Sequence, residues 1–304
     1  MKPIQDVSII GAGAMGAFYA SRFSNLDGVT VSLVADGDRC DRLRAEGIIV
    51  NGRRYAIPVI RPGDDEPPSD LVLVAVKSLH LDQALRDLEG RVGNHTILLS
   101  VMNGIDSEER LGAAFGMDKV LYAIALGIDS VRNKNHVNYT NPGVIQFGEV
   151  ENSKITERVV RVQELFDRAG VHWETPLDMI RTLWWKFMIN VGVNQVSAVL
   201  RVPYGVFQRS REAVELMEWA MREVIGVAEK EGVALTLEDI EKWKAVLRTL
   251  GPEGKTSMLQ DVEAGRKTEI DIFAGKVIQL GETHRVPVPV NRVLFNMIRV
   301  AEER

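Results

Sequence analysis

Cysteine is almost missing: Cys40 is the only one in 304 residues, which excludes an intrachain disulfide and a thiolate-bound metal cluster. The five histidines, His80, His95, His136, His172 and His284, share no metal-ligand spacing, and neither H-E-x-x-H nor G-x-S-x-G occurs. No metal is therefore expected. No stretch approaches the ~18 apolar residues of a spanning helix, and the amino terminus has no basic segment leading into an apolar run. These gaps predict a cytoplasmic protein with no membrane partner. Positive charge is not in excess either, with a formal net charge of −5, and the aromatic residues, 6% of the chain, do not interleave with basic clusters. Nucleic acid is not an expected partner. Gly254-Lys255-Thr256 looks like the end of a P-loop, but Thr249 stands where its first glycine belongs and no strand precedes it.

Apolar residues make up 45% of the chain and charged residues 26%, a balance that buries real cores. Length alone predicts roughly two domains. The most informative stretch is Val7-Ser8-Ile9-Ile10-Gly11-Ala12-Gly13-Ala14-Met15-Gly16, a short apolar strand running into G-x-G-x-x-G and then a helical pattern. Gly11 permits a tight turn, Gly13 lets backbone approach a pyrophosphate, and Gly16 allows helix and strand to pack closely. Free N–H groups in the first helical turn, including those of Ala14 and Met15, add the positive end of a dipole. Asp36, twenty residues beyond Gly16, stands where a carboxylate reads the ribose hydroxyls of a dinucleotide.

Strand-like and helix-like segments alternate through the first half, the signature of a parallel sheet with crossover helices. Strands are expected over 7–10, 29–35, 71–76 and 96–100, and helices over 14–25, 38–46, 79–88 and 107–114. Asn51-Gly52 predicts a two-residue hairpin and Asn141-Pro142-Gly143 another turn, so antiparallel additions to the sheet are expected. Cys40 is expected to pack a helix. Lys77 and Asn103-Gly104 each follow a predicted strand at the edge where such sheets meet ligands. Each is read either as a ligand contact or as an ordinary polar loop residue.

Beyond position 176 helical periodicity takes over, giving expected domains of 1–176 and 177–304. One helix is predicted over 179–200 and another over 268–282. Lys186, Asn190 and Asn194 fall at i, i+4 and i+8 among apolar neighbours, which places them on one face of the first of these helices. Either they line a wet cleft, where a desolvated lysine with a lowered pKa serves as general acid and the amides orient a hydroxyl or carboxylate, or they form an interhelical hydrogen-bond network. Ser257, Asp261 and Glu269 read by themselves as capping or surface residues.

Taken in order, Gly11–Gly16, Val76-Lys77-Ser78, Met102-Asn103-Gly104-Ile105, Lys186 with Asn190 and Asn194, Ser257-Met258-Leu259-Gln260-Asp261 and Thr268-Glu269-Ile270-Asp271 resemble the ketopantoate reductases, or 2-dehydropantoate 2-reductases, over nearly the whole chain. The resemblance implies an α/β fold, with a Rossmann-like amino-terminal domain, a mainly helical carboxy-terminal domain and an active site in the cleft between them. It also implies NADPH-dependent reduction of 2-dehydropantoate (ketopantoate) to (R)-pantoate, on the way to pantothenate and coenzyme A. Carried over, Lys186 protonates the ketone oxygen, Glu269 holds the substrate hydroxyl, Asn190, Asn194 and Ser257 orient the substrate, and Asn103 and Lys77 lie near nicotinamide and ribose. Asp261 is a supporting residue in this reading.

One departure bears on the cofactor. Family members often carry arginine just after the second strand to meet the 2′-phosphate of NADPH; here Asp36 suits NADH, while nearby Arg39 offers the phosphate a partner. Use of both is expected. A reductase of another branched 2-oxo acid and a non-catalytic dinucleotide-sensing protein stay open as alternatives, and a homodimer stays open as the assembly.

Overall fold

Aliphatic runs supply a sheet buried on both faces, in a computed structural model that describes residues 2–303. In the first of two units, which ends at Met179, the order is β1 (Asp6–Ile10), α1 (Ala14–Phe23), β2 (Thr30–Val34), α2 (Gly37–Glu46), β3 (Ile48–Val50), β4 (Arg53–Tyr55), β5 (Val59–Ile60), β6 (Leu71–Val74), α3 (Leu81–Asp87), β7 (Ile97–Ser100), α4 (Ser107–Phe115), β8 (Val120–Leu126), β9 (Val131–Asn133), β10 (His136–Asn138), β11 (Val144–Gly148), α5 (Glu157–Ala169) and β12 (Trp173–Glu174). The main sheet runs β12-β11-β8-β7-β6-β1-β2-β5. From β5 through β8 neighbouring strands are parallel, and β11 closes that side antiparallel to β8.

Continuous apolar strands suit such a sheet because helices cover both faces. Every residue of β6 and β7 is buried. One face carries an aromatic cluster in which Phe23 stacks on Phe166 at 6.0 Å and Phe147 meets Phe166 edge-on at 5.2 Å. Val72, Val74, Leu98 and Leu111 fill the other. Cys40 is fully buried on α2, as a helix-packing residue should be. The chain leaves β1 toward β2 on one side and later returns through β6 to the other, so strand order reverses between β1 and β6. Parallel sheets open a crevice at that point, outside the carboxyl ends of their strands.

Asn51 and Gly52 both have positive φ, 47° and 79°, and join β3 to β4 in the expected hairpin. That hairpin does not extend the main sheet. It pairs instead with β10 in a separate four-stranded sheet, β4-β3-β10-β9, because β10 finds a parallel partner in β3. The Asn141-Pro142-Gly143 turn then carries the chain from the small sheet to β11 in the large one.

In the second unit, from Ile180 on, the helices are α6 (Met179–Ile189), α7 (Gln195–Leu200), α8 (Tyr204–Phe207), α9 (Arg211–Lys230), α10 (Leu237–Leu247), α11 (Ser257–Glu263), α12 (Ala274–His284) and α13 (Pro289–Glu302). α9 is central, burying Met217, Ala220, Met221, Val224 and Val227 at helical spacing against α7, α12 and α13. Thr236 and Asp239 form a capping box at the start of α10, and Asp239 also takes both bonds of Arg181, at 2.7 and 2.8 Å. Burial acts to raise the Asp239 pKa, but Arg181 and the Thr236 N–H outweigh it and hold the carboxyl below its ordinary value.

Two helices predicted as continuous are not. The segment over 179–200 is interrupted by a π-helical turn, Asn190–Asn194. A Cβ at Gly192 would lie 2.6 Å from the Met221 side chain, so glycine lets α9 close on the turn. The segment over 268–282 becomes a short 3₁₀ turn, Ile270–Ile272, followed by α12, and Glu269 stands outside any helix.

Candidate active site

The first group of predicted residues gathers at the carboxyl ends of four adjacent parallel strands. Gly11 leaves β1 with φ +100°, and a Cβ there would sit 2.5 Å from the Ala75 backbone just past β6. At Gly16 a Cβ would sit 2.0 Å from the Gly11 carbonyl oxygen. Both glycines are demanded by the protein's own packing. Gly13 is not: its φ is −81°, and the nearest atom to an added Cβ is 3.9 Å away. A glycine with room beside it, at the N-cap of α1, fits a position kept bare for a ligand's approach. The first turn of α1 has no side-chain cap and no acidic residue, so its N–H groups and those of half-buried Ala14 and Met15 suit an anion.

Asp36 ends the β2 edge at the N-cap of α2, yet its exposed side chain makes no capping bond. Half-buried Arg39 lies in the first turn of α2, where burial, and then the neighbouring Arg42 charge, lower its pKa below the usual arginine value. Lys77 is half-buried and precedes a 3₁₀ turn beyond β6. Asn103 follows β7 in a half-buried turn with Gly104 at φ +92°. Ser100 Oγ accepts from the Met102 N–H at 3.3 Å and lies 2.8 Å from Ser107 Oγ, tying this turn to α4.

The second group belongs to the helical unit. Lys186 is 9% exposed on α6, Asn190 opens the π turn half-buried, and Asn194 closes it at 6% exposure. Asn194 Nδ2 donates to Asn190 Oδ1 at 3.3 Å. Four residues of α-helix overshoot a full turn by about 40°. Four residues of a wider π turn fall short of one, so the turn offsets the drift between Lys186 and Asn194. The shared face expected from i, i+4, i+8 spacing is kept by a departure from the α-helix.

Ser257 is exposed at the first position of α11. The cap is its neighbour Thr256, fully buried, which accepts from the Leu259 N–H at 3.1 Å and donates to Ser197 Oγ at 3.2 Å. That bond sets the start of α11 beside α7, three residues past Asn194. Glu269 is half-buried and comes on a separate loop, clipped to α11 where buried Asp261 binds Arg266 Nε at 2.9 Å. The sequence reading missed Thr256 and the π turn. A threonine before the apolar pair Met258-Leu259 was the legible cap signal, whereas the only sign of the π turn is Gly192 in a crowded helix.

Among the described residues no group of three or more His, Cys, Asp or Glu is placed to hold a metal ion, and no helix is long and apolar enough to cross a membrane.

These features define a Rossmann-like α/β unit with a glycine-rich strand-to-helix turn, followed by a helical unit whose first helix carries Lys186, Asn190 and Asn194. The chain belongs to the ketopantoate reductase family: the profile described as Ketopantoate reductase PanE/ApbA matches residues 7–152, and its C-terminal counterpart matches 178–302. A 2-dehydropantoate 2-reductase of Archaeoglobus fulgidus is 27% identical, with 98% of each chain covered. A PanE/ApbA family ketopantoate reductase from Ralstonia eutropha has the same fold at TM-score 0.84 and 26% identity, covering 98% of this chain and 99% of that one. A D-mandelate dehydrogenase in complex with NADH superposes at TM-score 0.87 with 20% identity over 98% and 99% of the two chains, a likeness of fold alone.

Proposed function

We propose that this chain is a 2-dehydropantoate 2-reductase, reducing ketopantoate to (R)-pantoate with a nicotinamide dinucleotide. The observation that carries the reading is buried Lys186 beside a π turn bracketed by two asparagines, in a chain of this family. Gly11, Gly13 and Gly16 with the first turn of α1 receive the pyrophosphate, and Asp36 and Arg39 flank the adenosine ribose. Lys77 and Asn103 steady the nicotinamide end. When bound, the dinucleotide supplies the hydride. Lys186 then has one task, to give a proton to the ketone oxygen as negative charge develops there. Glu269 accepts a hydrogen bond from the substrate hydroxyl, while Asn190, Asn194 and Ser257 fix the hydroxyl and carboxylate ends. Precise alignment is most of what such a protein must add to the cofactor's own chemistry. Cytoplasm is the compartment that suits this reaction.

We infer use of both NADH and NADPH. An uncapped carboxylate at Asp36 favours a ribose diol, and the Arg39 guanidinium offers a 2′-phosphate a charge-assisted bond. The test is kcat/KM for ketopantoate, 2-oxoisovalerate and 2-oxo-4-methylpentanoate with each dinucleotide, in wild type and Asp36→Arg. Highest kcat/KM on ketopantoate is expected, with Asp36→Arg moving the cofactor ratio toward NADPH by about tenfold, or ~1.4 kcal/mol. Preference for another acid transfers the site to that substrate, and no turnover on the panel supports a non-catalytic dinucleotide sensor.

We also propose a homodimer formed through α7, α9 and α13. A groove of about 320 Å³ there is lined by Val196, Leu216, Trp219, Pro289, Val293 and Met297 among others.

A further inference from the structure

Glu269 is held by its neighbours in sequence, and one of them is fastened by the end of the chain's last helix. Thr268 is 6% exposed. Its backbone N–H donates to Glu302 Oε1 at 2.8 Å and its hydroxyl donates to the same oxygen at 2.6 Å. Thr268 Oγ1 in turn accepts from the Ile270 N–H at 3.3 Å. The Glu302 side chain is only 9% exposed, and its second oxygen takes Arg299 Nη1 at 3.2 Å. Arg299 also pairs with Asp271, so one cation joins the last turn of α13 to the 3₁₀ turn on the far side of Glu269.

The geometry points to Glu302 as a positioning residue for Glu269. A carboxylate oxygen that receives two short bonds from one residue is expensive to bury, and charge assistance makes those bonds strong enough to offset the cost. Thr268 is thereby fixed in place and orientation. Ile270, fully buried, fixes the other side. Glu269 lies between these anchors at φ −97° and ψ 32°, outside both the helical and the strand regions, and its carbonyl accepts from the Ile272 N–H at 3.2 Å as the 3₁₀ turn begins. Asp261 and Arg266 fasten the upstream part of the same loop, where the Arg266 N–H also donates to the Asp261 carbonyl at 2.9 Å. The side chain expected to grip the substrate is thus aimed by a carboxylate thirty-three positions later in the sequence. This inference rests on the proposed contact of Glu269 with the substrate hydroxyl.

The test compares Glu302→Ala, Glu302→Gln, Thr268→Val and Glu269→Ala in the full chain, reading KM and kcat for ketopantoate, Kd for the dinucleotide and Tm. Glu302→Ala should raise KM about tenfold, change kcat less than about threefold and leave the dinucleotide Kd alone, the pattern of lost ground-state and transition-state binding together. Glutamine keeps an oxygen for both Thr268 donors and should restore most of the KM. Thr268→Val keeps side-chain shape and backbone but removes the hydroxyl, and should raise KM even if Glu302→Ala fails to fold. In the Glu269→Ala background, Glu302→Ala should add almost nothing to KM, because both changes act through one contact. A lower Tm with unchanged KM in Glu302→Ala or Thr268→Val overturns the inference while leaving the role of Glu269 intact. An unchanged KM in Glu269→Ala overturns the reading of Glu269 and the inference with it.

Discussion

Lys186 is the residue to which the proposed reaction assigns the proton. An ammonium only 9% exposed among apolar neighbours is costly to bury, and a proton-donating role is a reason to bear that cost. The helix around it is otherwise made for packing, with Trp184 and Phe187 in edge-to-face contact at 5.7 Å. We expect Lys186→Ala to fold, to bind the dinucleotide with unchanged Kd, and to lose on the order of 10²-fold or more in kcat, the usual worth of a positioned proton donor. Steady-state kinetics with a fluorescence titration of the dinucleotide check this. A folded variant with kcat near wild type would remove Lys186 from the mechanism.

At the scale of the element, the β1–α1 turn separates two reasons for glycine that its sequence motif shows alike. Gly16→Ala drives a Cβ to 2.0 Å from the Gly11 carbonyl, a clash with backbone that should destabilise by roughly 1–3 kcal/mol. Gly13→Ala meets nothing closer than 3.9 Å at an ordinary φ, so stability should change by less than about 1 kcal/mol. A bound pyrophosphate would meet the new methyl group. Gly13→Ala should therefore weaken dinucleotide binding at least tenfold, about 1.4 kcal/mol, while melting close to wild type. Equal losses of stability in the two variants, or an unchanged Kd for Gly13→Ala, would assign Gly13 to packing instead.

The same scale shows what could be read from sequence and what could not. Strand–turn–helix order and the positions of Asp36, Lys77 and Asn103 after strands were legible, because a parallel sheet leaves a linear record of apolar run, turn and amphipathic segment. The Asn51-Gly52 hairpin was legible for its two positive φ angles. The sheet it joins was not, since the parallel pairing of β3 with β10 links residues more than eighty positions apart. Asn190 and Asn194 were found by α-helical spacing, but the π turn that sets their geometry depends on how closely α9 approaches Gly192. Glu269 was placed in a helix because local propensity cannot see Glu302 holding Thr268.

At the scale of the whole molecule, the helical unit leaves an apolar face bare. Trp219, Val293 and Met297 are 50%, 57% and 49% exposed, and Leu200 and Val300 are exposed beside them. Val293, Met297 and Val300 recur at i, i+4 and i+7, an outward stripe on a helix whose opposite face already packs the core. These side chains line or border one wholly apolar groove, and a contiguous apolar face of this kind marks an interaction surface. The two helices that carry this face expose both signs of charge, with Arg211, Glu212 and Arg222 on α9 and Arg292 on α13. A partner of one charge would meet like charge on these helices. A second copy related by a two-fold axis presents the same mixed charges and the same knobs and groove, which is the condition for an isologous contact. Wild type should therefore run as a dimer by light scattering at micromolar concentration. Trp219→Glu should weaken association by about 2 kcal/mol or more, roughly thirtyfold, while the single chain keeps its helical circular dichroism, because half of that ring is exposed in the single chain. Dilution of wild type should shift the summed emission of its five tryptophans to the red as the face is wetted, and Trp219→Phe should abolish that shift. A monomer at all concentrations, or a dimer indifferent to Trp219→Glu and Met297→Glu, would show that this face does not join two copies of the chain.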